Sequence, residues 1–129
     1  MTKTTITRIS TENAPGAAGG YSQGVVVGDL VFTAGFGPAD PVTGAIPEGI
    51  AAQTRQVLAN VQAVLKAAGS DLSQTVKATV HLSDLSYWAE FDAIYRESFE
   101  PGHLPARTTV GSELRGILVE IDVVAFVGS

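Results

Sequence analysis

The chain has 129 residues, of which 45% are hydrophobic and only 16% are charged, so it suits one globular domain with its own core. A charged fraction below the roughly 25% that is usual for soluble proteins leaves more apolar surface and favours oligomerisation. The net charge of −5, with no Lys/Arg cluster, argues against nucleic acid as a partner, and the absence of cysteine excludes disulfides and thiolate sites. We interpret residues 1–129 as a single domain.

The N-terminal residues contain no apolar segment typical of a secretory signal. No apolar run elsewhere approaches the ~20 residues that a membrane-spanning helix requires. We therefore expect a cytoplasmic protein without a membrane partner.

The first third of the chain predicts short strands. Residues 3–9 alternate weakly between apolar and polar and indicate an edge strand, and residues 13–20 form a loop by composition. Two β-rich runs, residues 25–27 and 30–35, flank Gly28 and Asp29. This arrangement predicts a hairpin, although its turn type stays open because Gly-Asp is less favoured than Asp-Gly.

Residues 40–44 form a turn-rich loop, and the clearest helix follows it. From Ile50 to Ala68, apolar residues recur at steps of three and four and form one stripe. Gly69 stands where a glycine commonly ends a helix.

Residues 75–82 change to an alternating pattern, which predicts a half-buried strand with Val76, Ala78, Val80 and Leu82 on one side. A second helix is predicted after this strand, with Ser86 as its N-cap and Pro101 with Gly102 as its end. Its apolar residues are Trp88, Phe91, Ile94, Tyr95 and Phe99. Residues 106–111 and 117–127 predict the last two strands.

The resulting order, β-β-β-α-β-α-β-β, predicts an α+β protein with a mixed sheet and both helices packed on one face. The opposite sheet face would carry Thr75, Lys77, Thr79 and His81. A broad face of modest polarity is a candidate subunit interface.

Several kinds of catalytic site are not supported by the sequence. No Walker loop, G-x-G-x-x-G motif or G-x-S-x-G elbow occurs. His81 and His103 are far apart and lack the spacing of zinc ligands. We therefore expect neither a metal nor a redox cofactor.

Two charged residues stand out by position. Arg107 begins a predicted strand after Pro105 and Ala106, and Glu120 interrupts a long apolar run. A guanidinium can bind a carboxylate with two hydrogen bonds, and a carboxylate can orient a water, which suffices for hydrolysis of a C=N bond. From spacing alone, both residues are more often solvated surface charges.

Aromatic residues and His81 also allow more than one interpretation. Trp88 and Phe91, at helical spacing, are more typical of a core than of ligand stacking. Tyr21, after two glycines, is either a loop anchor or part of a lid over a site. His81 is more typical of a sheet surface than of a catalytic base.

Together these segments resemble the RidA/YjgF family, which is also described as L-PSP endoribonucleases, in order and spacing. The resemblance extends from about residue 14 to 126. The matching segments are Gly19-Gly20-Tyr21-Ser22-Gln23, residues 28–35, residues 53–61, residues 76–80, Pro105-Ala106-Arg107-Thr108 and Val119-Glu120-Ile121.

The resemblance implies a chorismate-mutase-like fold and a homotrimer with clefts between subunits. It also implies hydrolysis of reactive enamines and imines, such as 2-aminoacrylate, to 2-keto acids and ammonia. The family's substrate-binding arginine falls on Arg107 and its water-positioning glutamate on Glu120. Its early-loop tyrosine falls on Tyr21, its ligand-approaching glycine on Gly35, and the residue two past the arginine is Thr109.

The chain also departs from the family pattern. Ala34 stands where serine is usual and Phe36 where glutamine is frequent. Asp92 replaces a common asparagine on the second helix, and Ser112 replaces a valine. These changes leave the substrate more open than the type of reaction.

As a mechanism, we expect Arg107 to bind the substrate carboxylate while Glu120 and a backbone carbonyl near Thr109 orient the attacking water. Tyr21 and Phe91 would shape the pocket. Two alternatives are a hydrolase of the same family acting on a larger metabolite and a non-catalytic trimer that binds small carboxylates. Ribonuclease activity is disfavoured by the acidic charge.

Overall fold

The elements follow the predicted order in the computed structural model, which describes residues 5–128. Residues 3 and 4 of the predicted edge strand, and the two ends of the predicted domain, lie outside this range. The elements are β1 (Ile6–Ile9), β2 (Gly24–Val27), β3 (Leu30–Thr33), α1 (Ile50–Ala67), β4 (Thr75–Leu82), α2 (Trp88–Arg96), β5 (Ala106–Gly111) and β6 (Val119–Phe126).

Within residues 5–128, the strands form one mixed sheet in the order β1-β2-β3-β6-β4-β5. Neighbouring strands are antiparallel, except that β4 and β5 are parallel. A parallel pair requires a crossover connection, and α2 provides it. The last strand therefore lies inside the sheet, while β5 forms one edge and β1 the other.

The core lies between the sheet and the two helices. Val80 of β4 and Ile121 of β6 are fully buried, and they join Val61 of α1 and Phe91 of α2 in one cluster. Burial of each such side chain stabilises the fold by roughly 1.5–3 kcal/mol. Both helices thus cover one face of the sheet, as predicted. We call the opposite face, which carries Lys77 among others, the open face.

Glycines at two predicted positions adopt the left-handed backbone that their turns require. Gly28 has a φ of 56° while Asp29 does not have positive φ, which is the pattern of a type II′ hairpin turn. Gly69 has a φ of 83° after α1. The N–H of Gly69 donates to the carbonyl of Lys66 and that of Ser70 to Leu65, which completes a Schellman motif.

The predicted alternation of β4 is wrong at its first residues. Val76 is 48% exposed, whereas Thr75 is buried. A bulge between Thr75 and Lys77 shifts the register against β6, so that Val76 turns outward and the alternation begins only at Lys77.

Both ends of α2 differ from the prediction. Ser86 is not the N-cap; instead, Asp84 accepts a hydrogen bond from the Ser86 N–H and opens a 3₁₀ turn that leads into α2. The helix ends at Arg96, before Pro101, because the next N–H groups bond to carbonyls three residues back. Trp88 is 44% exposed and therefore not a core residue.

Candidate functional site

Arg107 lies on the helix side of the edge strand β5. Its register partner on β4 is Ala78, a core residue, and the Arg107 side chain consequently extends beneath α2. The guanidinium carbon lies 5.3, 5.4 and 4.8 Å from the ring centres of Trp88, Phe91 and Tyr95, respectively. Three rings around a cation hold it by cation–π attraction and fix its orientation.

Asp92 is the ion-pair partner of Arg107. Nη1 of Arg107 donates to Oδ1 of Asp92 at 2.8 Å, and the two side chains are only 15% and 14% exposed. Arg96 donates from Nε to the other carboxylate oxygen at 2.9 Å. Burial would raise the pKa of Asp92, but the hydrogen bonds and charges of Arg96 and Arg107 outweigh it and hold the pKa below its usual value.

A cavity of about 260 Å³ opens beside this ion pair. Trp88, Tyr95 and Leu104 line it, together with Pro105 and the three charged residues Asp92, Arg96 and Arg107. We call this cavity the Arg107 pocket. Nε and Nη2 of Arg107 have no hydrogen-bond partner among residues 5–128, so one edge of the guanidinium is unoccupied. Burial raises the pKa of Tyr95 to about 12, which keeps its phenol protonated.

Glu120 belongs to a second depression, on the open face of the sheet. Its register partner on β4 is His81, and its neighbours in the depression are Tyr21, Ala34 and Gly35. We call this group the Glu120 depression. A Cβ atom at Gly35 would lie 2.9 Å from Oε2 of Glu120. Only glycine therefore allows the backbone to approach the carboxylate this closely.

The loop that carries Tyr21 is fastened by the buried side chain of Gln23. Its amide nitrogen donates to the carbonyls of Thr11, Ala14 and Pro15, and its oxygen accepts from the N–H of Thr11. The Tyr21 hydroxyl accepts a hydrogen bond from the N–H of Ala18. Tyr21 is half exposed, and these contacts set where its ring stands over the Glu120 depression.

Arg107 and Glu120 point to opposite faces of one sheet. Arg107 pairs with Ala78 on the helix side, whereas Glu120 pairs with His81 on the open side. Because side chains alternate along β4 from Lys77 onward, no rotamer brings the two groups into one cavity of the same subunit.

The open face around Glu120 carries further polar contacts. Lys77 donates to the Thr108 hydroxyl at 2.7 Å, and Nδ1 of His81 lies 2.7 Å from Oγ of Ser112. Burial raises the pKa of Asp122, against the opposing charges of His81 and Lys77. The polar side chains of the open face thus hydrogen-bond to one another, Lys77 to Thr108 and His81 to Ser112.

Residues 11–127 match the family model described as Endoribonuclease L-PSP. The 2-iminobutanoate/2-iminopropanoate deaminase of Salmonella typhimurium is 43% identical over 122 residues, covering 91% of this chain and 94% of that protein. The crystal structure of the YjgF gene product of Escherichia coli is 39% identical with a TM-score of 0.86, covering 93% of this chain and 98% of that chain.

The chain belongs to the RidA/YjgF family. Another structure, that of Escherichia coli TdcF with bound serine, is 37% identical with a TM-score of 0.87, covering 95% of this chain and 99% of that chain. The family and the chorismate-mutase-like fold predicted from the sequence are confirmed by these similarities.

The predicted site residues fall into two groups in this RidA/YjgF member. Thr109 is on the same side of β5 as Arg107, opposite Val80, and Phe91 lies fully buried behind the guanidinium. The other group, Tyr21 with Gly35 and Glu120, forms the Glu120 depression. The two groups do not meet within one chain.

Phe36 does not line either cavity. Its backbone pairs with Ile121, and its side chain is buried in the core, so its departure from the family pattern changes packing rather than a cleft wall. Sequence reasoning missed Arg96 and treated Trp88 as core. The only signal for Arg96 was its spacing of four residues from Asp92, which puts both on one side of a helix.

Two further findings apply to residues 5–128. No helix there is both long and apolar enough to cross a membrane. No cluster of three or more His, Asp or Glu side chains arranged to hold a metal ion occurs in that part of the chain.

Proposed function

We propose that this protein hydrolyses small 2-imino acids and their enamine tautomers, such as 2-aminoacrylate, to 2-keto acids and ammonia. The observation that carries this proposal is the largely buried Arg107, which is oriented by three rings and has one edge without a hydrogen-bond partner among residues 5–128. The deaminase name of relatives at about 40% identity over most of the chain agrees with it.

Binding begins with the substrate carboxylate. Nε and Nη2 of Arg107 present two parallel N–H groups, which match the two oxygens of a carboxylate. In a largely covered pocket these charge-assisted hydrogen bonds are stronger than in water. Thr109 lies beside this position on the same side of β5. The bound serine of the relative TdcF is a ligand of the same kind, because it also carries a carboxylate.

Hydrolysis of the bound imine requires a water molecule that is oriented toward the imine carbon. In our proposal Glu120 accepts a hydrogen bond from the water and orients it toward the imine carbon. An enamine first becomes the imine by gaining a proton at C3 and losing one from nitrogen. The water oxygen then bonds to the imine carbon as the C=N π bond opens, and the proton that the water loses goes to the nitrogen. The carbinolamine transfers its hydroxyl proton to the nitrogen as the C–N bond breaks, which releases ammonia and leaves the keto group. Because such imines also hydrolyse unaided, positioning and electrostatic stabilisation suffice.

The opposite orientation of Arg107 and Glu120 supports a site built between subunits. We propose that the chain forms a homotrimer in which Arg107 of one subunit and Glu120 of its neighbour share a cleft. Large apolar side chains on the open face agree with this assembly, since Leu30, Phe32 and Phe126 are each between 36% and 42% exposed. Covering such a patch is favourable in proportion to its area.

The test is turnover of 2-aminoacrylate that is generated in place by a pyridoxal-phosphate-dependent dehydratase, followed as keto-acid release. We expect acceleration by the parent and a loss of roughly 10²–10³-fold in kcat/KM for Arg107→Met, because two charge-assisted hydrogen bonds disappear. Arg55→Gln is the matched control, since Arg55 is exposed and pairs with Glu97 away from both cavities. No acceleration by the parent would refute the activity, and full activity of Arg107→Met would refute the role of that residue.

A further inference from the structure

The Arg107 pocket already contains one carboxylate, because Asp92 accepts a hydrogen bond from Nη1 of Arg107. The remaining edge of Arg107 has no partner within residues 5–128. A substrate carboxylate therefore binds beside a fixed negative charge. Such an arrangement affects which substrates are accepted, since every additional anionic group is repelled by Asp92.

Within residues 5–128, three charged residues line the Arg107 pocket. Arg107 and Arg96 are cationic and Asp92 is anionic, while Trp88, Tyr95 and Leu104 are neutral, as is Pro105. Within one subunit the pocket thus has one surplus positive charge, and in the proposed trimer Glu120 of the neighbour adds a carboxylate to the same cleft. With or without that carboxylate, a second carboxylate on the substrate leaves a surplus negative charge in a partly covered cavity, which is unfavourable.

We propose that Asp92 is a specificity-determining residue that makes the pocket selective for substrates with a single carboxylate and against dicarboxylates. This inference rests on the proposed function, in which Arg107 binds the substrate carboxylate. Asp92 acts through Arg107 and need not touch the substrate.

Asp92→Asn tests the charge while keeping the contact with Arg107. Asparagine has nearly the same shape, and its Oδ1 still accepts the hydrogen bond from Nη1 of Arg107. The negative charge is lost together with the hydrogen bond from Nε of Arg96, whose side chain is 64% exposed. The probes are two stable keto acids, 2-oxobutanoate with one carboxylate and 2-oxoglutarate with two, whose Kd values are measured by calorimetry at low ionic strength.

We expect the parent to bind 2-oxobutanoate more tightly. In Asp92→Asn both acids should bind more tightly, and the ratio of the two Kd values should shift by about tenfold toward the dicarboxylate, as expected for one screened charge. A gain in affinity cannot result from a damaged fold. Glu97→Gln is the matched control, since it removes one exposed carboxylate of another ion pair and should leave the ratio unchanged.

Arg96→Gln provides a second test with the opposite sign, at a side chain that is 64% exposed. It removes the surplus positive charge, so both acids should bind more weakly and the dicarboxylate should lose more. Arg55→Gln is its control. Should Asp92→Asn fail to fold, Arg96→Gln still decides the question.

The failure of this inference differs from the failure of the proposed function. If Arg107→Met abolishes binding of both acids while Asp92→Asn and Arg96→Gln keep the parent ratio, Asp92 does not set specificity, although Arg107 still binds the carboxylate. If Arg107→Met binds 2-oxobutanoate as the parent does, or the parent binds neither acid, the carboxylate-binding role of Arg107 itself is wrong.

Discussion

The Arg107 pocket and the Glu120 depression lie on opposite faces of one sheet and are built by different means. Arg107 is largely covered and is held by three rings and an ion pair. Glu120 is approached by backbone, at Gly35, and lies near the half-exposed Tyr21. The first arrangement holds the guanidinium of Arg107 in one orientation. The second leaves open space beside the carboxylate of Glu120.

The pKa values of the aspartates near these two cavities move in opposite directions, although burial alone would raise both. Asp92 has two guanidinium partners, which outweigh burial and lower its pKa. Asp122 shares the face of Glu120, where burial exceeds the attraction of His81 and Lys77 and raises its pKa. The comparison shows that direct ion-pair contact can outweigh burial and set the direction in which the pKa of a carboxyl group moves.

The largest effect on activity should come from mixing two variants whose sites are damaged at different residues. Arg107→Met and Glu120→Gln, each nearly inactive alone, should recover about one quarter of the parent activity when mixed equally, because a random cyclic assembly pairs an intact Arg107 with a neighbour's intact Glu120 at that frequency. Imine hydrolysis by the unselected, co-expressed mixture provides the readout, and mixed trimers selected with two affinity tags should recover about one third, because each contains one intact site of three.

Mixing Arg107→Met with the Arg107→Met/Glu120→Gln double variant is the matched control and should restore nothing. If the first mixture is no more active than its components, the two groups of each site come from the same subunit, and the interface site is wrong.

A smaller effect is expected when the close approach at Gly35 is removed. In Gly35→Ala the new methyl group would lie 2.9 Å from Oε2 of Glu120, so the carboxylate must move. We expect kcat to fall about tenfold while the Kd for 2-oxobutanoate stays unchanged, because carboxylate binding belongs to Arg107. Gly16→Ala, with no atom within 4 Å of its Cβ, is the control. A changed Kd with normal kcat would reverse the assignment of the two regions.

The smallest effect concerns stability. At pH 7 Asp92→Asn should lower the free energy of unfolding by about 1 kcal/mol, since the hydrogen bond from Arg107 loses its charged acceptor and the one from the exposed Arg96 is lost. The folded pKa of Asp92 is lowered, so its stabilisation is complete above the unfolded value of about 3.9 and disappears as the pH falls through the folded value.

Unfolding curves of parent and variant should therefore converge below about pH 4. Exposed Glu97→Gln should show no comparable gap at any pH. A gap between parent and Asp92→Asn that widens in acid would contradict the lowered pKa.

Local patterns were sufficient to predict much of this fold. The apolar stripe of α1, its end at Gly69 and the hairpin at Gly28 follow from short-range periodicity and from glycine geometry. The bulge at Val76 could not be predicted, because it depends on the register of β4 against a strand that lies far along the chain.

The individual residues of the candidate site were predictable from the sequence, but their positions relative to one another were not. The family pattern indicated Arg107 and Glu120, yet their opposite orientation follows only from pairing with β4. The contact between Arg107 and Asp92 likewise requires α2 to cross over the edge strand, which no spacing in the sequence encodes. Trp88 was misjudged because helical periodicity identifies an apolar stripe without showing where the neighbouring sheet ends.

The hydrogen bonds of Gln23 have a consequence for how this protein tolerates change in evolution. One side chain joins the start of the loop, at Thr11 and Pro15, to the strand that follows it. Gln23 thus holds both ends of the segment between these attachment points. We expect insertions and deletions between Pro15 and Ala18 to leave both the sheet and Tyr21 in place. Position 23 itself should tolerate almost no replacement, because no other side chain of that length both donates and accepts.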